Sequence, residues 1–207
     1  MEGNWYLVEM IDKNKGVIKG TEGIILHNGN IVLGMQKAKR WYQLENGETA
    51  SIIKTIGGKI EVEDEESSKK ALVREILEEI KGIEKSDVRV STHPIFSKVI
   101  RMGDFNPFER KSNLKLSADF YAVVLTNKGR ILPNDLPALV EMPIQQFLKL
   151  PYNNQNYMAT IEKFIIPNHD LEVRMPQNYA LMIPTEIKTV LKRISELEVN
   201  RGVDCER

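Results

Sequence analysis

The chain contains a single cysteine, Cys205, in a polar C-terminal stretch, which excludes an intramolecular disulfide framework. It also lacks an excess of charge. Lysine plus arginine and aspartate plus glutamate balance at 29 each, so bulk charge indicates neither a general nucleic-acid binder nor a membrane-surface protein. No apolar run approaches the ~18 residues of a membrane span. Met1-Glu2-Gly3-Asn4-Trp5 has no basic region leading into an apolar one, as a secretory leader would. Internal repeats and low-complexity tracts are absent as well. These absences set the expectation of a cytoplasmic protein, and 207 residues are enough for one domain of substantial core with extensions.

What the chain does contain is a pair of glycines, Gly57-Gly58, followed by Lys59-Ile60-Glu61 and, sixteen residues after Gly58, by Arg74-Glu75-Ile76-Leu77-Glu78-Glu79. Periodicity predicts a helix over Ser67–Ile80, with Ser67 or Ser68 as its N-cap. At ~100° per residue, Glu75, Glu78 and Glu79 fall within an arc of about 100°. Leu72, Val73, Ile76, Leu77 and Ile80 occupy the other side. The acidic face runs against local stability. Glu75/Glu78 and Glu75/Glu79 are like-charge pairs, each destabilising by roughly 0.2–0.5 kcal/mol. Glu78 and Glu79 lie at the helix end that favours cations, Lys69 and Lys70 at the end that favours anions. A bound Mg²⁺ would resolve the conflict, being a hard ion held by one or two carboxylates plus water and phosphate. A solvated acidic helix is the alternative reading of the three glutamates alone. The glycines add a place where backbone groups can approach a ligand closely.

Together these residues resemble the Nudix box, G-x5-E-x7-R-E-U-x-E-E-x-G-U with U a bulky aliphatic residue. Gly58, Arg74, Glu75, Ile76, Glu78 and Glu79 match it, and Gly57 and Glu61 fit residues that commonly accompany it. There are two departures. Glu66 stands at the proper distance from Arg74 but two residues too far from Gly58; Asp64 has the right distance from Gly58 and is too far from Arg74. Lys81 occupies the second glycine position, one residue ahead of Gly82. The resemblance covers roughly residues 21–150 and implies an α/β/α sandwich around a mixed β-sheet. Residues 1–20 are then an N-terminal extension, and 151–207 a C-terminal extension ending in a helix packed on the same domain.

Along the chain, Asn4–Ile11 and Gly16–Lys19 are expected to form a hairpin. Gly23–His27 and Ile31–Met35 should be strands joined by a tight Asn28-Gly29-Asn30 turn. Ala50–Ile56 should be a strand delivering the chain to the glycines. Val88–Met102 reads as one or two strands broken near Pro94, Gly103–Asn113 as a polar loop, and Ala118–Leu125 as a buried strand. Pro143–Leu150 reads as a short helix and Pro184–Val199 as a longer one.

The resemblance implies Mg²⁺-dependent hydrolysis (Mn²⁺ as a possible substitute) of a pyrophosphate bond in a nucleoside diphosphate linked to another group. Residue by residue, it makes Glu75, Glu78 and Glu79 metal ligands together with the Gly57 carbonyl. Glu78 or Glu79 would hold the attacking water, and Arg74 would orient the glutamates through an ion pair with Glu66. Asp135 and Glu109 are candidates for a further acid. Lys37, Lys39 and Arg40 adjoin Trp41 and Tyr42, a combination suited to gripping phosphates and stacking on a base, or to a basic surface turn with partly buried aromatics. His27 and His93 read as structural. Tyr152, Tyr157 and Tyr179 face either a pocket or the core. The preferred partner is a small nucleotide, with nucleic acid and membrane disfavoured and a homodimer open. The alternatives are a non-catalytic, regulatory nucleotide-binding Nudix module and an RNA-end processing pyrophosphohydrolase, the latter disfavoured by neutral charge.

Overall fold

Asn28 and Gly29 take φ of 48° and 79°, the left-handed pair that a two-residue hairpin needs to match the twist of its strands. The computed structural model describes residues 17–101, 115–150 and 161–203, with 101 and 195–203 described by backbone alone. The expected hairpin before residue 17, the Gly103–Asn113 loop with Glu109, Tyr152, Tyr157 and Cys205 lie outside the described residues. In chain order the elements are β1 (Val17–His27), β2 (Asn30–Met35), β3 (Tyr42–Gln43), β4 (Thr49–Lys54), β5 (Ile56–Lys59), α1 (Ser68–Glu79), β6 (Ile80–Lys81), β7 (Val88–Val90) and β8 (Phe96–Arg101). Then come β9 (Lys115–Leu125), β10 (Leu132–Pro133), β11 (Ala138–Pro143), α2 (Ile144–Lys149), β12 (Ile165–Pro167), β13 (Asn178–Met182) and α3 (Thr185–Val203).

The axis of the molecule is β1. It pairs in parallel with β9 along all eleven of its residues, and its other edge is shared by two antiparallel strands. β2 takes Ile25 to His27, and β5 takes Gly20 to Gly23. The sheet is therefore mixed, and it continues outward through β11 and β12 on one side and β7 and β8 on the other. Strand alternation sorts side chains onto two faces. Ile24, Ile31, Leu33, Phe120 and Val140 face one core, shared with Phe147 of α2 and Ile187 and Leu191 of α3. Ile25, Val32, Val123 and Leu139 face the other, shared with Leu72 and Ile76 of α1. This is the α/β/α sandwich with a mixed sheet expected from the sequence.

Several boundaries differ from expectation. Val17–Gly20, read as the end of an N-terminal extension, are the first residues of the central strand. Ala50–Ile56 is not one strand. The chain breaks at Thr55 because Thr49–Lys54 stays with β2, β3 and β13, whereas Ile56–Lys59 crosses to β1. The C-terminal segment adds two strands to the same sheet, β12 on β11 and β13 in parallel on β4.

The helix carrying the carboxylates starts where Ser67 caps it, the Ser67 hydroxyl accepting from the Lys70 N–H at 3.2 Å. After it ends, Lys81 enters the short β6 strand opposite Leu132. Gly82 then makes the turn one residue later than the box pattern, at a φ of 85°. A Cβ there would stand 2.8 Å from the Arg130 carbonyl oxygen. Gly82→Ala should thus lose about 1–3 kcal/mol of stability. A urea midpoint equal to wild type would show that the chain does not turn there.

Candidate functional site

Strand register builds the site. The antiparallel pairing of β5 with β1 sets Gly57 opposite Glu22 and Gly58 opposite Thr21. A Cβ on Gly58 would lie 2.2 Å from Glu75 Oε1, so the missing side chain is the space that the Glu75 carboxylate fills. The glycine pair and α1 thus meet face to face. Glu22, not anticipated from the sequence, is buried here, and its Oε2 accepts a 2.7 Å hydrogen bond from the Thr55 hydroxyl.

Arg74 is the clamp of the helix, but its partner is Asp64 and not Glu66. Its Nε and Nη2 donate to the two Asp64 oxygens at 3.2 and 2.9 Å, and Nη2 also donates to the Lys59 carbonyl at 3.0 Å. Asp64 is 3% exposed and accepts from the Glu61 N–H as well. Hydrogen bonding to Arg74 holds its carboxyl below the usual aspartate range. The two extra residues between Asp64 and Arg74 are absorbed at Glu65 and Glu66, whose φ of 52° and 59° form a left-handed turn ahead of the Ser67 cap. The other Arg74 nitrogen, Nη1, reaches Glu75 at 2.9 Å and Glu78 at 3.5 Å.

The three helix carboxylates do not share one environment. Glu78 is half-exposed and turned toward Arg74. Glu79 is buried with Leu72 and Ile76 and does not join a solvated acidic stripe. Helix geometry explains this, since seven residues at ~100° place Glu79 only ~20° from Leu72. Burial pushes the Glu79 carboxyl up to about 7, against the pull of Lys54. No hydrogen bond relieves it among the described residues.

A cation already stands among these groups. The Lys54 ammonium, at the end of β4, donates to the Gly57 carbonyl at 3.3 Å and the Thr55 carbonyl at 3.2 Å. It lies 3.7 Å from Glu22 Oε1. Burial pulls the lysine down, but Glu22, Glu79 and Glu75 outweigh it and hold the ammonium above its usual range. Burial likewise raises Glu22, with Lys54 opposing. Of the pair, the fixed charge is the ammonium, because three carboxylates support it. By donor chemistry, the Gly57 carbonyl and these carboxylates suit a hard divalent cation, and the ammonium stands among them. The arrangement itself is not a ligand cage. Among the described residues, no three acidic, imidazole or thiol groups are disposed to hold a metal ion. Of the three helix glutamates, Glu75 and Glu78 are paired with Arg74, while Lys54 stands on the Gly57 and Glu22 side.

The remaining candidates lie around this centre. Lys37 forms an ion pair with Asp135 and also pulls down the Glu79 carboxyl electrostatically, so both belong to the rim of the site. Lys39 and Arg40 are exposed on a single 3-10 turn, Ala38–Arg40. Trp41 is half-buried and packs against the core, and its indole N–H donates to the Gln36 carbonyl at 2.7 Å. Tyr42 is half-buried and begins β3. His27 is buried and bridges the Glu141 carboxylate at 2.7 Å and the Asn127 carbonyl at 3.2 Å, a structural role. Tyr179 is buried in the core.

No protein-family model matches the chain, and no curated protein sequence matches it. Solved structures do share similarity with it. A hydrolase of the NUDIX family from Clostridium perfringens has a TM-score of 0.43 at 18% identity, covering 66% of this chain and 87% of its own. The E. coli ORF135 protein has a TM-score of 0.41 at 22% identity, covering 65% and 79%. A C. elegans Ap4A hydrolase in a binary complex has a TM-score of 0.49 at 10% identity, covering 88% and 98%. Among the described residues, no helix is long and apolar enough to cross a membrane.

Proposed function

We propose that the chain is a Nudix-type hydrolase that cleaves a pyrophosphate bond in a nucleoside diphosphate-linked small molecule, using Mg²⁺ or, as a substitute, Mn²⁺. The observation that carries this reading is the seating of the Glu75 carboxylate on the bare face of Gly58, one residue from the Gly57 carbonyl that Lys54 holds and one helical turn from buried Glu79. The ion would be held by the Gly57 carbonyl with Glu75, Glu78 and Glu79, and Glu22 adds a carboxylate. It would neutralise phosphate charge and lower the pKa of bound water. Arg74 positions Glu75 and Glu78 from a helix pinned to Asp64. Glu79, buried beside the other helix carboxylates, would orient the attacking water and accept its proton. Lys37, Lys39 and Arg40 supply positive charge at the rim for the phosphates.

Glu79→Gln should lower Mg²⁺-dependent hydrolysis by about 10²–10³-fold. The assay is a panel of nucleotide pyrophosphates with Mg²⁺ and Mn²⁺, reading released phosphate after coupling. The same variant has a stability signature. A carboxyl raised on folding stabilises fully below its ordinary value near 4.3 and loses that contribution as pH rises through about 7. Metal-free Glu79→Gln should therefore be the more stable protein above pH 7. Full turnover in this variant removes Glu79 from the reaction. One observation favours a second reading, a non-catalytic nucleotide-binding module: Lys54 and Arg74 already neutralise the acidic groups. Nucleotide binding without turnover of any panel member would select it.

A further inference from the structure

Building on the metal-dependent reading above, we propose that Lys54 is a resident counter-ion that a divalent cation must displace, so that this lysine sets the metal affinity of the site. The argument begins with the oxygen atoms. Lys54 Nζ holds the carbonyl of Gly57, 3.3 Å away, and approaches Glu22 at 3.7 Å. Its charge is felt by Glu22, Glu75 and Glu79 alike. An ammonium 3.3 Å from the Gly57 oxygen and a divalent ion bound to that same oxygen would stand within a few ångströms of each other and repel strongly.

The geometry leaves the lysine little choice of resting place. Lys54 ends β4, paired opposite Gly34 of β2, and its side chain is 24% exposed. From there the four-carbon stem extends toward the break at Thr55, whose carbonyl gives the ammonium a second acceptor at 3.2 Å. Without a cation, Glu22 and Glu79 would be buried carboxylates with only the Thr55 hydroxyl to serve them. Lys54 lowers that cost while the site is metal-free, without abolishing it. Arg74 does the same for Glu75 and Glu78, but it is anchored on Asp64 and the Lys59 carbonyl and cannot leave. Among the described residues Lys54 forms no ion pair outside the site, so it is the cation that yields.

The test is direct titration of Mn²⁺ into wild-type, Lys54→Met and Lys54→Arg proteins, following free Mn²⁺ by electron paramagnetic resonance. Lys54→Met should bind Mn²⁺ at least about tenfold more tightly, because the carboxylates lose their competing charge. Lys54→Arg should stay near wild type. If wild type binds Mn²⁺ and Lys54→Met binds equally or more weakly, displacement is wrong although the metal-dependent reading stands. If none of the three binds, that reading itself falls and the proposal with it. A second measurement needs no variant. In the ¹⁵N side-chain spectrum of the metal-free protein, the Lys54 ammonium should give a hydrogen-bond-protected signal, lost on adding Mg²⁺. Persistence of that signal at saturating Mg²⁺ overturns the proposal.

Discussion

Alanine at position 57 is expected to destabilise the protein severely, whereas alanine at position 58 should leave it folded and inactive. The two glycines are adjacent, yet they are crowded by different things. A Cβ on Gly57 would stand 2.1 Å from the Thr21 carbonyl oxygen and 2.7 Å from the Glu22 α-carbon. Both belong to the backbone of the central strand, which pairs with β9 along its entire length. Nothing there can rotate aside. Relief requires parting β5 from β1, and the loss should be on the order of 3 kcal/mol or more. The nearest atoms to a Cβ on Gly58 are those of the Glu75 carboxylate, at 2.2–2.7 Å. That is the far end of a flexible side chain, so the stability loss should be about 1 kcal/mol or less. The Glu75 carboxylate is expelled from its seat on Gly58, and pyrophosphate hydrolysis should fall with it. Urea midpoints together with phosphate release separate the two effects. A Gly57→Ala protein with the wild-type midpoint would falsify the register that sets Gly57 against Glu22.

The contrast between neighbours also shows what the sequence could and could not reveal. Local signals were legible. Asn28-Gly29 demands a positive-φ turn and makes one, and Ser67 offers its hydroxyl to the first free N–H groups of a helix and does so. Ile24 and Ile25, one residue apart, belong to opposite faces of the sheet, as alternation requires. Glu79 lay within reach of the same arithmetic: counted from Leu72, helical periodicity puts it at the edge of the apolar face. The site's other members depend on pairing between distant segments. Glu22 meets Gly57 only through the antiparallel register of β1 and β5. Lys54 is one of 29 basic residues and is marked out by the strand break at Thr55, which no local signal announces. Asp64 competed with Glu66 for Arg74, and the choice was made by Glu65 and Glu66 taking left-handed backbone, a conformation glutamate does not advertise.

The Asp64–Arg74 pair carries the second large effect. Asp64→Asn keeps the shape of the side chain and removes its charge, leaving a partly buried guanidinium (its side chain 20% exposed) short of its main anion. Breaking a buried pair from one side costs about 3–5 kcal/mol; the retained amide oxygen and the proximity of Glu75 should bring the loss toward the lower end. Its pH dependence follows from the direction of the shift. The Asp64 carboxyl is depressed on folding, first by the hydrogen bond from Arg74 and with help from the Glu61 N–H. Its contribution is therefore present in full above the unfolded value of about 3.9, and it is lost as pH falls through the lower folded value. The stability gap between wild type and Asp64→Asn should be constant from pH 8 to about pH 5 and should close below about pH 4. A gap that instead narrows as pH rises toward 7 would assign the charge effect to Glu79, whose carboxyl shifts in the opposite direction. The activity of Asp64→Asn, where it remains folded, should fall as well. Arg74, left with the Lys59 carbonyl as its anchor, could then follow Glu75 and Glu78 off the glycine face, because among the described residues Asp64 is the one carboxylate paired with it outside the site.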